Sequence, residues 1–192
     1  MIGGVDEAGR GPLVGPMVIA VVVGDGDALR RLGVRDSKTL SPKRRRDLFY
    51  KILDVADCVN YVVVEPQVID LYVSKEMLNV LELDYTAKLL KTCPAEVYYV
   101  DSPDVNAERY GAALAFMTGA KIVAMHRGEA VAQVAAASIV AKVVRDSLLD
   151  LVKREVGDFG SGYPSDPRTR QWAKAGKIPE ECIRKTWKVR LD

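Results

Sequence analysis

Apolar and polar residues along the chain follow two different periods. Short runs rich in valine and isoleucine, of a length typical of strands, lie at 2–7, 14–23, 61–65, 96–100 and 121–125. Longer segments with apolar residues three or four positions apart, typical of helices, lie at 42–53, 75–92, 105–117 and 130–156. Strands come first, strand–helix alternation follows, and two short basic helices end the chain. This order predicts an α/β fold in which helices pack on a mixed sheet.

The composition is that of one globular domain. The chain has 192 residues, of which 48% are hydrophobic and 28% are charged, and this is enough apolar surface for a full core. Its most apolar run, at 17–23, is too short to span a bilayer, and no basic leader of a signal peptide precedes it. We therefore expect a cytoplasmic, monomeric protein with no membrane partner.

Cysteine and histidine are too few to predict a metal site built on sulfur or imidazole. Cys58, Cys93 and Cys182 are odd in number and widely spaced, so we expect neither a disulfide framework nor a zinc site. We interpret all three as ordinary core thiols. The single histidine, His126, cannot form a histidine-rich site. Any metal ion would be held mostly by carboxylate oxygens, which favours Mg2+ or Mn2+.

Positive charge is concentrated at the C-terminal end, together with both tryptophans. Residues 167–192 contain eight basic and three acidic side chains as well as Trp172 and Trp187, whereas the whole chain carries only +2. A basic segment with aromatic side chains can bind a phosphate backbone. The alternative is a terminal helix with solvated charges and a buried tryptophan face, and this feature alone favours that alternative.

Acidic residues coincide with the ends of two predicted strands. Asp6 and Glu7 end the first strand, where Gly9 and Gly11 give the backbone the freedom to bring both carboxylates to one site. Asp101 follows the strand at 96–100, and ligand sites of open α/β sheets form beyond the carboxyl ends of strands. Each of these positions could instead be an ordinary exposed turn or a helix cap.

A polar stripe on the long predicted helix supplies a fourth acid. Ser138, Lys142 and Asp146 are spaced four residues apart and therefore share one face of a helix rich in alanine and valine. The alternative is the solvated face of an amphipathic helix. Four acids from strand ends and a helix would suit a two-metal phosphodiester site, with ions about 3.5–4 Å apart.

Four motifs, in order, resemble the signature elements of ribonuclease HII. They are GVDEAGRGP at 4–12, DSKTL at 36–40, AASIVAKVVRD at 136–146 and GSGYPSDP at 160–167. YVD at 99–101 with DVN at 104–106 is similar to the archaeal and eukaryotic branch. The resemblance runs to RKTW at 184–187, and so covers nearly the whole chain. One stretch departs from the family pattern: residues 126–129 are HRGE, whereas the family commonly has His-Lys-Ala-Asp.

The resemblance implies a ribonuclease H-like fold, a mixed five-stranded sheet flanked by helices. Residues 1–165 would form the catalytic domain, and residues 166–192 a helical C-terminal extension that contributes to substrate binding. It further implies an endoribonuclease that uses two Mg2+ or Mn2+ ions. The enzyme would hydrolyse the RNA strand of RNA/DNA hybrids and cut 5′ of ribonucleotides embedded in DNA, leaving 3′-hydroxyl and 5′-phosphate ends.

The resemblance also implies site residues, position by position. The family's four metal-holding acids match Asp6, Glu7, Asp101 and Asp146. The loop that recognises the 2′-hydroxyl at an RNA–DNA junction matches Gly9, Arg10 and Gly11, and the tyrosine that packs on the adjacent deoxyribose matches Tyr163. Phosphate-contacting positions match Lys38, Ser138 and Lys142. Since the 2′-hydroxyl distinguishes RNA from DNA, a glycine-rich loop that lets backbone groups approach it closely suits this role.

Two other functions differ from this hypothesis in testable ways. A resolvase- or integrase-like nuclease on the same fold would share the acids but need no ribose sensor, so the loop at 9–11 and Tyr163 argue against it. A non-catalytic nucleic-acid-binding module would not keep four acids, because uncompensated clustered carboxylates repel phosphate. The final residues, VRLD, contain no glutamine-and-aromatic clamp-binding box, so a sliding-clamp partner is not expected.

Overall fold

A computed structural model describes residues 1–36 and 39–187 of the chain. Within these residues the strands are β1 (Ile2–Ala8), β2 (Met17–Gly24), β3 (Cys58–Val64), β4 (Val97–Asp101) and β5 (Lys121–Met125). The α-helices of the same residues are α1 (Gly26–Arg31), α2 (Pro42–Val55), α3 (Pro66–Val73), α4 (Leu78–Leu90), α5 (Ala107–Thr118), α6 (Ala132–Val156) and α7 (Pro167–Lys174). Short 3-10 turns lie at Val34–Asp36, Gly128–Ala130 and Glu180–Cys182.

The strands form one mixed sheet in the order β3-β2-β1-β4-β5. β2 runs antiparallel to both β1 and β3, whereas β4 runs parallel to both β1 and β5. This confirms the predicted α/β fold with a mixed five-stranded sheet. Because β1 and β4 are parallel and Val5 pairs with Val100, Asp6 and Asp101 come next in register at the same edge of the sheet.

Helix α6 packs on one face of the sheet over β1 and β2 and supplies much of the core on that side. Gly4 of β1 shows how closely the two elements approach, since a Cβ there would lie 2.1 Å from the carbonyl carbon of Gln133. Only glycine fits that contact. The approach brings the polar stripe of α6 to the end of β1. Although α6 has 25 residues, no helix in the described part of the chain is long and apolar enough to cross a membrane.

Some element boundaries differ from the sequence pattern for local reasons. The segment 75–92 is not one helix, because Glu76 adopts a positive φ of 57° and separates α4 from α3, which the pattern does not predict. Helix α1 is also not predicted, and it begins after Asp25, whose side chain accepts from the Ala28 N–H at 2.7 Å. The second strand begins at Met17 instead of residue 14, because Val14 bridges to the C-terminal extension.

The interpretation of all three cysteines as core thiols is wrong. Cys58 at the start of β3 and Cys93 beyond the end of α4 form a disulfide, with Cα atoms 5.6 Å apart. The two residues are 35 positions apart, and they meet only because α4 returns to the edge strand β3. Cysteine spacing therefore carries no signal for this pairing. Cys182 is a free thiol, as expected.

The C-terminal segment packs into a small apolar cluster shared with the connection between β1 and β2 and with the end of α6. The buried apolar members of this cluster are Leu13, Val14, Leu149, Phe159 and Ile178. Helix α7 begins after the N-cap residue Asp166, whose side chain accepts from the Arg168 N–H at 2.9 Å. The extension is thus attached to the residues that follow the first predicted acids.

Candidate active site at the ends of β1 and β4

Three carboxylates, the acid cluster, lie together where β1 and β4 end. Asp6, Glu7 and Asp101 are half-buried, and their charges interact. Burial raises the pKa of Asp6 to about 6, with a further contribution from the charge of Asp101. Burial also raises the pKa of Glu7 well above its ordinary value, followed by the charges of Asp6, Glu82 and Asp101. The cluster is therefore unfavourable at neutral pH unless a cation offsets its charge.

Glu82 of α4 is a further acid beside this cluster that the sequence pattern does not indicate. Its side chain is 2% exposed, and burial raises its pKa to about 7 although Arg10 lies beside it. Arg10 donates from Nε to both carboxylate oxygens of Glu82, at 3.0 and 3.3 Å, and from Nη2 to Asn79 Oδ1 at 2.7 Å. Arg10, a predicted substrate contact, is thus held by α4. The only sequence signal is that Asn79 and Glu82 are three positions apart on a helix.

The polar stripe of α6 faces the acid cluster and is not merely a solvated surface. A hydrogen bond from the buried Ser138 hydroxyl and the positive charge of Lys142 partly offset the raised pKa of Asp6. Asp146, one turn beyond Lys142, forms an ion pair with Arg45 of α2 at 3.5 Å. The remaining predicted phosphate contact, Lys38, lies outside the described residues.

A cavity of about 720 Å³ brings the stripe together with the end of β1. Five predicted site residues line it: Glu7, Gly9, Lys142, Asp146 and Tyr163. Further basic side chains in its wall are Arg45, Arg46, Arg145 and Lys153. A larger cavity of about 910 Å³ lies elsewhere, between residues 73–80 and 185–187, and no predicted site residue that the structure describes lines it. The smaller cavity is the one with the chemistry of a phosphodiester site.

The glycine-rich loop after β1 lies beside Tyr163. Gly9 has a φ of +86°, and a Cβ there would lie 2.2 Å from Arg145 Nε and 2.7 Å from the Pro16 carbonyl oxygen. Both the backbone conformation and the close approach therefore require glycine at this position. At Gly11 the nearest atom that a Cβ would meet is Tyr163 Cε1, at 3.6 Å. Since Tyr163 is 44% exposed, its ring is accessible to a ligand next to the loop.

Asp104, the other acid near the end of β4, serves the local structure. Its carboxylate accepts from the Asn106 N–H at 2.8 Å, from Arg109 Nη2 at 2.8 and 2.9 Å and from Asn79 Nδ2 at 3.0 Å. These hydrogen bonds, the Asn106 N–H first, hold the pKa of Asp104 below its ordinary value. Its carbonyl oxygen also contacts His126 Nε2 at 2.8 Å. Asp104 thus serves the structure around α4 and α5, whereas the charge of Asp101 acts on Asp6 and Glu7 of the acid cluster.

The chemistry of the acid cluster fits a hard divalent cation. Within residues 1–36 and 39–187, no three acidic, histidine or cysteine side chains are placed so that together they could hold a metal ion. Asp6, Glu7 and Asp101 nevertheless offer only oxygen donors, which Mg2+ and Mn2+ prefer. A cation among them would also offset the repulsion that raises the pKa of Asp6 and Glu7.

Sequence comparisons identify similar proteins over almost the full chain. A family model described as Ribonuclease HII matches residues 3–190. A ribonuclease HII of Pyrobaculum neutrophilum is 72% identical, covering 97% of this chain and 94% of its own length. A ribonuclease HII of Pyrococcus abyssi is 45% identical, covering 97% of this chain and 88% of its own length.

Solved structures agree with the sequence comparisons. The ribonuclease HII in a PCNA:RNase HII complex from Archaeoglobus fulgidus matches with a TM-score of 0.92 and 42% identity, covering 98% of this chain and 94% of that chain. Bst-RNase HIII in complex with Mn2+ matches with a TM-score of 0.75 and 22% identity, over 97% of this chain and 67% of that chain, and supports the fold alone. The PCNA complex does not bear out the expectation that a clamp partner is absent.

Proposed function

Because this chain belongs to the ribonuclease HII family, we propose that it cuts DNA on the 5′ side of embedded ribonucleotides in a two-metal-ion reaction. Family membership makes it a metal-dependent endonuclease with ribonuclease H activity on RNA/DNA hybrids. The proposal adds the embedded ribonucleotide, the use of Mg2+ or Mn2+ and the residues involved. The observation that carries it is the acid cluster at one edge of the sheet, beside a cavity that contains Asp146 and basic side chains.

Four acids would hold the ions: Asp6, Glu7, Asp101 and Asp146. When bound, two divalent ions would supply an activated water and stabilise the leaving 3′ oxygen. The chain's own contribution is to hold the carboxylates in place and to offset part of the cost of ionising Asp6. Ser138 and Lys142 favour the ionised form of Asp6, the first by a hydrogen bond and the second by its charge. The ion pair with Arg45 holds the carboxylate of Asp146 at the cavity.

Basic side chains in the cavity wall would hold the phosphates of the substrate. Arg45, Arg46, Lys142 and Lys153 line the same cavity as Glu7 and Asp146. Contacts between such side chains and phosphates supply affinity and register without reading the base sequence. A nuclease that acts on RNA paired with DNA of any sequence requires this kind of contact.

The loop at 9–11 and Tyr163 would recognise the sugar at the cut. The backbone of Gly9 and Gly11 can approach a 2′-hydroxyl closely, because no side chain intervenes. Tyr163 lies beside Gly11 and is exposed, so its ring can pack on the neighbouring deoxyribose. This pairing favours the junction-cutting ribonuclease over a resolvase-like nuclease on the same fold, which has no use for a ribose sensor.

The test is a cleavage assay on a DNA duplex with one embedded ribonucleotide, with the all-DNA duplex of the same sequence as the matched control. We expect a cut on the 5′ side of the ribonucleotide only with Mg2+ or Mn2+, leaving 3′-hydroxyl and 5′-phosphate ends. Cutting of the all-DNA duplex at a similar rate would support the resolvase-like alternative. Cutting of long RNA/DNA hybrids but not of the embedded ribonucleotide would reject the added substrate.

A further inference from the structure

The carbonyl groups of the loop between β1 and β2 are bound by the C-terminal extension. We call residues 9–16 the link loop. Arg184 donates from Nη1 to the Arg10 carbonyl at 2.9 Å, from Nε to the Gly15 carbonyl at 3.1 Å, and from Nη2 to the Gly9 carbonyl. Trp187 Nε1 donates to the Gly11 carbonyl at 2.9 Å. Three consecutive carbonyls of the link loop, at 9, 10 and 11, are therefore held by two side chains more than 170 positions away.

The two side chains are themselves fixed. The guanidinium of Arg184 lies over the Trp187 ring, 4.8 Å from its centroid. The Arg184 N–H donates to the Leu13 carbonyl at 2.9 Å, and Ile183 bridges to Val14. Asp70 of α3 accepts from the backbone N–H of Lys185 and Thr186 at 2.9 and 3.0 Å. The segment 183–187 is thus tied both to the link loop and to the body of the protein.

Burial of the charged Arg184 side chain costs free energy, so a role in packing alone does not explain it. It is 1% exposed, and burial, followed by the charge of Arg145, lowers its pKa to about 9. It therefore remains charged at neutral pH, and a buried charge is costly unless its donors are satisfied. Its donors are satisfied by backbone carbonyls of the link loop, so the charge is used to fix the backbone there.

Binding of these carbonyls also fixes the direction of the neighbouring N–H groups. The chain contains no cis peptide bond among the described residues, so each peptide C=O and the next N–H point in opposite directions. The N–H groups of Arg10 and Gly11 follow the bound carbonyls of Gly9 and Arg10. They consequently point away from Arg184 and are not used in its hydrogen bonds to the loop.

We propose that Arg184 and Trp187 are positioning residues that fix the link loop for ribose recognition, so that the C-terminal extension sets the discrimination between ribose and deoxyribose. The proposal rests on the proposed function, in which the loop at 9–11 meets the 2′-hydroxyl. Neither side chain needs to touch the substrate. A purely structural role would affect stability and all substrates alike, whereas a positioning role affects the preference for the ribonucleotide.

The experiment uses Trp187→Phe, which removes the donor to Gly11 but keeps an aromatic ring. The matched control is Trp172→Phe, the same change in α7 of the extension, where Trp172 packs against Gly157 and Lys177. Both are made in the full chain carrying Asp101→Asn, so that binding can be measured with Mg2+ while cutting is strongly slowed. The readouts are the melting temperature and the ratio of affinities for two duplexes, one with a single ribonucleotide and one all DNA.

We expect Trp187→Phe to reduce this affinity ratio by about fivefold, as for one lost hydrogen bond. Trp172→Phe should leave the ratio unchanged. Arg184→Lys, which keeps the charge but not the fork of donors, should reduce the ratio by more than about tenfold.

The proposal is overturned if Trp187→Phe and Trp172→Phe change the ratio equally, or if Trp187→Phe weakens binding of both duplexes in parallel. Should Arg184→Lys fail to fold, Trp187→Phe still decides between these outcomes. A wild-type chain that does not cut the ribonucleotide duplex would reject the proposed function itself, and this inference with it. A wild type that cuts, with variants that keep the ratio, would reject the inference alone.

Discussion

The acid cluster and the link loop are neighbours that are held in place in opposite ways. Asp6 and Asp101 lie at the ends of paired strands, so their positions follow from the register of the sheet. The charge of Asp6 remains unfavourable, since burial first and Asp101 second raise its pKa to about 6. The link loop belongs to no regular strand or helix, yet its carbonyls are bound by Arg184 and Trp187. The acid cluster thus has a regular backbone but two carboxyl groups, Asp6 and Glu7, whose ionisation is unfavourable. The link loop has an irregular backbone but carbonyl groups that are hydrogen-bonded.

This difference suits two different tasks. Where carboxylates repel one another, a cation that binds among them offsets the repulsion and lowers the free energy of the site. A loop that distinguishes ribose from deoxyribose gains from backbone groups that are fixed before the substrate arrives, because ordering them on binding costs free energy. Changes in the acid cluster should therefore alter the use of metal and the rate. Changes around the link loop should alter discrimination between sugars.

The largest expected effect compares two aspartates three positions apart. Asp101→Asn removes one of the proposed negative ligands, and we expect kcat on an embedded ribonucleotide to fall by more than about 100-fold, because even outer partners of metal ligands are worth about 10–100-fold. Asp104→Asn is the control, since Asp104 binds Asn106 and Arg109 instead of the cluster. It should lower the melting temperature with a much smaller loss of kcat. Similar kcat losses in the two variants would remove the distinction between these acids.

A stability experiment tests whether the Cys58–Cys93 disulfide stabilises α4, which holds Arg10 of the link loop, more than β1, which carries Asp6. Reduction of the Cys58–Cys93 disulfide opens a loop of 35 residues, which should lower the free energy of unfolding by about 3–4 kcal/mol. The loop contains α4, whose Asn79 and Glu82 hold Arg10. Amide hydrogen exchange should therefore rise more in α4 than in β1.

Cys182→Ser is the control for this measurement, because Cys182 is a free thiol and its loss should leave the effect of the reductant unchanged. An equal rise of exchange in β1 and α4 would mean that the disulfide stabilises the whole sheet. The link loop would then have no special dependence on the segment that carries α4.

The members of the acid cluster can be predicted from the sequence, because local rules determine where they lie. A strand ending in an acid puts that acid at the edge of the sheet, and residues four apart on α6 share a face. The Ser41 cap of α2 follows the same logic, since its hydroxyl accepts from the Arg44 N–H at 3.2 Å. The resemblance to ribonuclease HII supplied the roles, and the family comparisons confirm the family.

The side chains that hold the link loop cannot be predicted from the sequence, because they form contacts between distant parts of the chain. In the sequence Arg184 is one of several basic residues and the first residue of the RKTW stretch, and neither feature predicts that it is buried and bound to carbonyls near residue 10. Glu82 gives no signal beyond its place on a helix, and the Cys58–Cys93 pairing depends on how α4 returns to β3. Patterns along a chain predict elements and their ends, but not which buried side chain holds a distant backbone.

The cost of ionising Asp6 in the acid cluster can be tested without substrate. In the metal-free protein the pKa of Asp6 is raised from 3.8 to about 6, so its ionisation costs stability as the pH rises through this window. Asp6→Asn removes that charge and should stabilise the metal-free protein at pH 7 by about 1–3 kcal/mol. The gain should shrink toward pH 4, where the wild-type carboxyl is increasingly protonated.

Thermal unfolding in EDTA between pH 4 and pH 8 checks this prediction, and repeating it with Mg2+ supplies the control. The added ion should raise the melting temperature of the wild type more than that of Asp6→Asn. A variant that is less stable than the wild type at pH 7 in EDTA would mean that the repulsion in the acid cluster is already offset by neighbours such as Lys142.

The smallest expected effect is that of a substitution at Tyr163, which lies beside the link loop. Tyr163→Ala removes the exposed ring beside Gly11 and should slow cleavage at an embedded ribonucleotide by about tenfold, within the range for one aromatic contact to a nucleotide. Tyr163→Phe keeps the ring and should stay close to the wild type. Because the acids are untouched, the dependence of the rate on Mg2+ concentration should not change in either variant. If Tyr163→Ala weakened binding of an all-DNA duplex as strongly as it slowed cleavage, the ring would be a general contact, and sugar discrimination would rest on the link loop alone.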